Sequence, residues 1–203
     1  MKKNILFLIL FFCFATVAVS QTKVDSLVKL GREALIKLAV EKINDPAFIS
    51  TSYDLVTVVA NKTTVLVKFE LSMNYVSMNA CYYDAVTIAL AGDGDWKSAT
   101  GKCADQTTHY YKLTDADKKN IAFVFSAINK SNEIGYFPDN KLPRGTTMTI
   151  TENEKFYTVD MDDVGTDTHF QVEKVSGKIS DIERADFDQA ANAGHKDDFV
   201  EIK

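Results

Sequence analysis

The chain has 203 residues, 46% of them hydrophobic, and a formal net charge of −5. That length can bury a core in one domain or in two small ones. The acidic balance excludes nucleic acid and anionic membrane surfaces as expected partners.

Lys2 and Lys3 precede an apolar run from Ile5 to Val19, and Ala18-Val19-Ser20 before Gln21 has the form of a small-x-small cleavage site. Residues 1–20 are expected to be a signal peptide that takes Cys13 with it, leaving an exported chain, periplasmic or extracellular. Without the two lysines the net charge becomes −7. No later stretch is apolar and long enough to span a bilayer.

Lys23 to Ile43 has helical spacing of Val24, Leu27, Val28, Leu35, Leu38 and Ala39, and Asn44-Asp45-Pro46 stops it. Tyr53–Leu71 alternates as a hairpin about Asn61-Lys62. Ser72 to Tyr83 is long for a hairpin connection and mixes Met, Tyr and Asn. A second hairpin follows: Tyr83–Ala91 outward, Gly92 to Asp95 as the turn, Trp96–Thr100 back. It sets Cys81 nearly opposite Cys103, and export supplies the oxidant, so the two are expected to form a disulfide. Such a bridge adds on the order of 3 kcal/mol for a loop of this size.

Thr114-Asp115-Ala116-Asp117 is a capping-box variant that opens a second helix through Ile121, Val124, Phe125 and Ile128. Thr147–Asp163 is a third hairpin about Glu152-Asn153-Glu154. At a shift of about 92 positions, Thr57 falls on Thr149, Val58 on Ile150, Asn61 on Asn153 and Val67 on Val159. One helix-plus-hairpins unit is therefore expected twice, over 21–112 and 113–188, with Val67 and Val159 at equivalent inward positions. Asp163–Thr168 is a short connection to the last hairpin, Phe170–Val175 and Ile179–Ile182. Residues 189–203 are expected to be a loosely held polar tail.

No motif for a nucleophile, a phosphate loop or a cofactor is present, and His109, His169 and His195 lack zinc spacing. Asp160, Asp162, Asp163, Gly165 and Asp167 resemble a calcium loop, but Val164 breaks the pattern and Gln171 stands where the closing Glu belongs. They remain weak metal candidates against a solvated acidic connection. The aromatics gather instead around the disulfide hairpin. Tyr75, Met78, Tyr82, Tyr83 and Trp96 are residue types that anchor or adapt to protein surfaces. Tyr75 and at least one of Tyr82 and Tyr83 are expected to be solvent-accessible.

A helix followed by antiparallel hairpins, given twice, resembles the cystatin-like class in the tandem form of the β-lactamase-inhibitor protein family. The ending VEKVSGKISDIE is similar to PepSY-type domains, and Glu173-Lys174-Val175-Ser176-Gly177 is similar to the cystatin Gln-x-Val-x-Gly hairpin, with Glu173 in place of Gln. The resemblance implies an α+β fold of two tandem cystatin-like units. It also implies an exported, non-enzymatic protein-binding module, an inhibitor of an exported enzyme among the options, with a protein partner and no cofactor. Two alternatives stay open: a small-molecule or lipid carrier with a pocket between helix and sheet, and a hydrolase whose residues meet only in three dimensions.

Overall fold

The computed structural model describes residues 23–104, 106–163, 165–186 and 199–203. The expected signal peptide, residues 1–20, therefore lies outside the described residues, as does most of the expected tail. Among the described residues no helix is long and apolar enough to cross a membrane.

The fold is α+β, with two sheets. Helix α1 (Arg32–Ile43) leads through a single 3-10 turn to strands β1 (Leu55–Ala60), β2 (Val65–Glu70), β3 (Met73–Val76), β4 (Cys81–Ala91), β5 (Trp96–Gly101) and β6 (His109–Tyr110). Helix α2 (Asp115–Ser131) then leads to β7 (Thr147–Glu152), β8 (Phe156–Asp163), β9 (Thr166–Glu173), β10 (Ile179–Asp186) and β11 (Val200–Glu201). The first sheet has the order β11-β1-β2-β4-β5, with β6 parallel to β4. The second has the order β10-β9-β8-β7-β3.

The expected first helix is interrupted. Residues 23–28 are helical, but Gly31 takes φ +80 and α1 begins only at Arg32. A left-handed residue cannot continue a right-handed helix, and glycine adopts it without a Cβ clash. Helix α2 begins as read: Thr114 caps Asp117 N–H, and the Asp117 carboxylate accepts from the Thr114 N–H at 2.7 Å.

Both sheets alternate inside and outside at the same register. Val58 pairs with Val67 and Val67 with Ile88; Ile150 pairs with Val159 and Val159 with Phe170. Val67 and Val159 are both fully buried. The turns match too. Asn61 N–H donates to Thr64 C=O at 3.0 Å, and Asn153 N–H donates to Phe156 C=O at 2.9 Å. Each sheet has its own core: Leu35 and Ala39 of α1 over Val58, Val67, Phe69 and Val86, and Ile121, Val124, Phe125 and Ile128 of α2 over Ile150, Val159 and Phe170. The helices thus pack directly on their sheets through these side chains.

Three corrections concern the connections. Asp163–Thr168 is no loop: β8 runs to Asp163 and β9 starts at Thr166, so the turn is nearly all that separates them. The chain end is held rather than loose, because Val200 and Glu201 pair with Ala60 and Val59, and Ile202 N–H donates to Val58 C=O at 2.9 Å. Most consequential, the Ser72–Tyr83 connection crosses to the other sheet. Its strand β3 lies parallel to β7, Tyr75 opposite Ile150. The boundary expected at residue 112 is therefore crossed earlier, since β3 belongs to the second sheet.

A tyrosine-lined candidate functional site between the sheets

Crossing to the second sheet gives β3 one exposed edge. Met148 N–H donates to Ser72 C=O at 2.8 Å, so in this parallel ladder the backbone groups of Asn74 and Val76 face β7 and those of Tyr75 face away. Those outward groups are capped by phenols. Tyr75 N–H donates to Tyr111 Oη at 3.3 Å, and Tyr82 Oη donates to Tyr75 C=O at 2.7 Å. Tyr82 Oη also bonds the Asn74 side chain. Tyr53 Oη extends the set: it donates to Tyr83 C=O at 2.9 Å and accepts from Tyr111 N–H at 3.3 Å. Asn120 of α2 donates to Tyr75 Oη at 2.8 Å.

Burial raises the phenol of Tyr53 to about 12 and that of Tyr111 to about 12. The phenols of Tyr75 and Tyr82 are also raised, chiefly by burial. All four therefore stay protonated through the physiological range, as the bonds that Tyr53 and Tyr82 donate to backbone carbonyls require.

Tyr75 is 2% exposed and Tyr82 8%, so the expectation that Tyr75 is solvent-accessible is corrected. Tyr75 contributes its ring to the second core, because a strand that joins a sheet turns alternate side chains inward. Tyr83 is half-buried, Met78 is 39% exposed in the turn after β3, and Trp96 is 48% exposed on the outer face of the first sheet. Three of the five candidates thus line one groove, Tyr75 and Tyr82 nearly wholly buried and Tyr83 half-buried, while Met78 and Trp96 lie on other surfaces.

That groove is about 710 Å³ and runs where the sheets meet. Pro46, Ala47 and Ile49 of the α1–β1 loop line one side; Tyr83, Lys97 and Tyr110 line another. The loop is held by Asp45, whose side chain accepts from Ala47 N–H at 2.9 Å, and by Phe48, which packs on Tyr53, Phe69 and Tyr110. Lys97 Nζ stands 4.8 Å from the Tyr83 ring centre and 4.7 Å from that of Tyr110, and it donates to Tyr110 Oη at 2.7 Å. Two ring faces and a phenol oxygen thus hold an exposed ammonium in place. Lys97 was not singled out as a binding residue from the sequence, and Tyr110 entered only as one of the aromatics around the hairpin. The Tyr110-Tyr111 pair beyond the second cysteine was the available signal, with one ring inward and one toward Lys97.

Cys81 and Cys103 form a disulfide with Cα atoms 4.9 Å apart, at one end of the groove. Opposite Cys81 sits Gly101, at φ +94. A Cβ there would lie 2.0 Å from Ala80 C=O, so glycine is what lets the strands approach at the bridge.

A second concavity, about 440 Å³, lies on the outer face of the second sheet. It gathers Thr149, Asp160, Asp162, Asp167, His169 and Glu183, with His169 Nδ1 at 2.7 Å from Asp160 Oδ1. Asp160 and Asp162 lie in a strand rather than a loop, and Asp162 pairs across it with Asp167. Among the described residues no three His, Cys, Asp or Glu side chains converge as a metal site. The calcium-loop resemblance fails because a strand spreads alternate carboxylates along one face instead of wrapping them round an ion.

Compared with family models, curated proteins and solved structures, the chain matches none.

Proposed function

We propose that this chain is an exported, non-enzymatic protein-binding module whose binding surface is the groove between the sheets. The carrying observation is the rim of Tyr83, Lys97 and Tyr110, which is aromatic, charged and already fixed. Stiff aromatic surface of this kind recognises protein at small ordering cost. The disulfide and the tyrosine bonds to backbone keep the groove walls in place before a partner arrives.

The finer architecture belongs to the same reading. Strands β1, β2, β4 and β5 share order and register with β7, β8, β9 and β10, which supports two copies of one cystatin-like unit. The disulfide supports an oxidising compartment, periplasmic or extracellular. Val175, 93% exposed in the β9–β10 turn, offers a second apolar contact of the kind an inhibitor presents.

The test is capture from the native exported fraction with the mature protein, run in parallel with Tyr83→Ala/Tyr110→Ala. The expected result is a partner retained by the parent and weakened by more than about tenfold in the variant, with unchanged melting temperature. Equal capture by both proteins would place the binding surface elsewhere.

A further inference from the structure

Besides the two-residue β6, four strands form sheet edges among the described residues, and three of them are protected. At β3, the outward backbone groups of Tyr75 are capped by Tyr111 and Tyr82. Strand β10 carries Asp181, Glu183, Arg184 and Asp186, and its ladder breaks between Ser180 and Glu183, with Asp181 at φ +54. Strand β11 is two residues long. Short edges, charged edges and bulged edges all discourage pairing with another chain.

Strand β5 is the least protected of the four: it is six residues long, the register shift in its ladder falls on β4, and Lys97 is its single charge. Lys102 N–H donates to Ala80 C=O at 2.7 Å, so the two-residue period turns the backbone of Thr100 toward β4. The N–H and C=O groups of Lys97 and Ala99 then face outward, with nothing among the described residues paired to that edge. Ser98, Ala99 and Gly101 are small and admit a close neighbour.

Local charge sets the neighbour's chemistry. Lys97 has no carboxylate partner within ion-pair distance among the described residues. Lys102 lies just beyond the strand and Lys112 lines the groove. Asp45 and Asp117 line other parts of the groove, so the positive charge on the strand itself is that of Lys97 alone. Antiparallel pairing of two copies along β5 would bring two Lys97 ammoniums to one edge, which opposes self-association.

We infer that an acidic, extended segment of a partner protein adds to β5 as a further antiparallel strand. Its backbone bonds the outward groups of Lys97 and Ala99, and one carboxylate meets the Lys97 ammonium held over Tyr83 and Tyr110. Backbone bonds along the edge give affinity, and the lysine selects the side chain. This rests on the protein-binding reading above and specifies how the partner attaches.

The experiment pans a phage-displayed library of short random peptides on the disulfide-intact mature protein, then measures the enriched peptides by titration and amide exchange. The expected peptides carry Asp or Glu among alternating β-branched residues. Binding should weaken at least about tenfold in Lys97→Gln and vanish in Ala99→Pro, which removes an outward N–H and no ladder bond. Exchange at the amides of Lys97 and Ala99 should slow on binding. Enriched peptides that bind Ala99→Pro as tightly, or protect other amides, overturn the strand-addition model; if they still depend on Tyr83 and Tyr110, the groove reading survives. Failure to enrich any peptide overturns the model too, while capture with the Tyr83/Tyr110 variant judges the broader reading separately. Concentration-dependent protection of those two amides without peptide would put a second copy on the edge and overturn the proposal. Should Ala99→Pro not fold, the exchange footprint on the parent protein decides.

Discussion

Corresponding rows cross the outer faces of the two sheets and carry opposite chemistry. In the first sheet the row is Thr57, Lys68, Thr87 and Trp96. In the second it is Thr149, Asp160, His169 and Glu183. One position away, the inward rows are both apolar: Val58, Val67, Ile88 against Ile150, Val159, Phe170. Packing therefore constrains one side of each sheet and leaves the other free to diverge. The first row carries a lysine and a tryptophan, and the second carries two carboxylates and a histidine. The edges differ in the same sense, β5 open and β10 charged and bulged.

The strongest way to break this comparison is through the cores. Phe69→Ala and Phe170→Ala each empty a fully buried site and should each lose about 3–5 kcal/mol by denaturant titration. Because β3 joins the sheets, both variants should show one cooperative transition by near-UV and far-UV signals alike. Two separated transitions would make the sheets independent.

Next is the covalent asymmetry, since only the first sheet has a bridge. Cys81→Ser/Cys103→Ser should lose about 3 kcal/mol for a 22-residue separation. Exchange in β4 and β5 should rise more than in β8 and β9. A uniform rise would mean the bridge stabilises the whole molecule equally.

Thr87 and His169 occupy corresponding places in the two rows, but the buried Thr87 hydroxyl has no hydrogen-bond partner among the described residues. Thr87→Val keeps the shape and removes the unsatisfied oxygen, so stability should rise by up to about 1 kcal/mol. A loss of that size in thermal melts would show that the hydroxyl has a partner.

The smallest effect is electrostatic. Burial tends to raise the Glu152 carboxyl, but the Lys174 ammonium at 2.7 Å, with smaller help from hydrogen bonds of Tyr75 and the Met78 backbone, holds the group below its ordinary 4.5. A lowered folded value contributes stability above the unfolded value and loses it as pH falls through the folded one. Below about pH 4.5 the parent should therefore lose stability that Lys174→Met never had, and the two acid titrations should converge. The first-sheet pair Lys42–Asp95 is half-exposed, and Lys42→Met should change the same titration by less than about 0.5 kcal/mol.

Periodicity and turn chemistry are local, and they determined much of this protein. The alternation of Val58, Val67, Ile150 and Val159, the Asn61 and Asn153 turns, the Thr114 cap and the pairing of Cys81 with Cys103 could all be read along the chain, because each depends on residues close in sequence or in one hairpin. Gly31 was legible too, as the one glycine inside the expected first helix, yet helical spacing on both sides concealed it.

Only tertiary structure decided which sheet a strand joined. Ser72–Tyr83 has the composition of an exposed connection, and nothing local sends Tyr75 into the other core. That placement comes from β7 offering an edge and from Tyr82 and Tyr111 capping the side left open. The groove has the same origin. Lys97 and Tyr110 are 13 residues apart and meet because β6 lies beside β4 and β5 on the other side of it. Contacts between distant segments depend on the energy of the whole packing, and a single stretch of sequence holds only one partner of each.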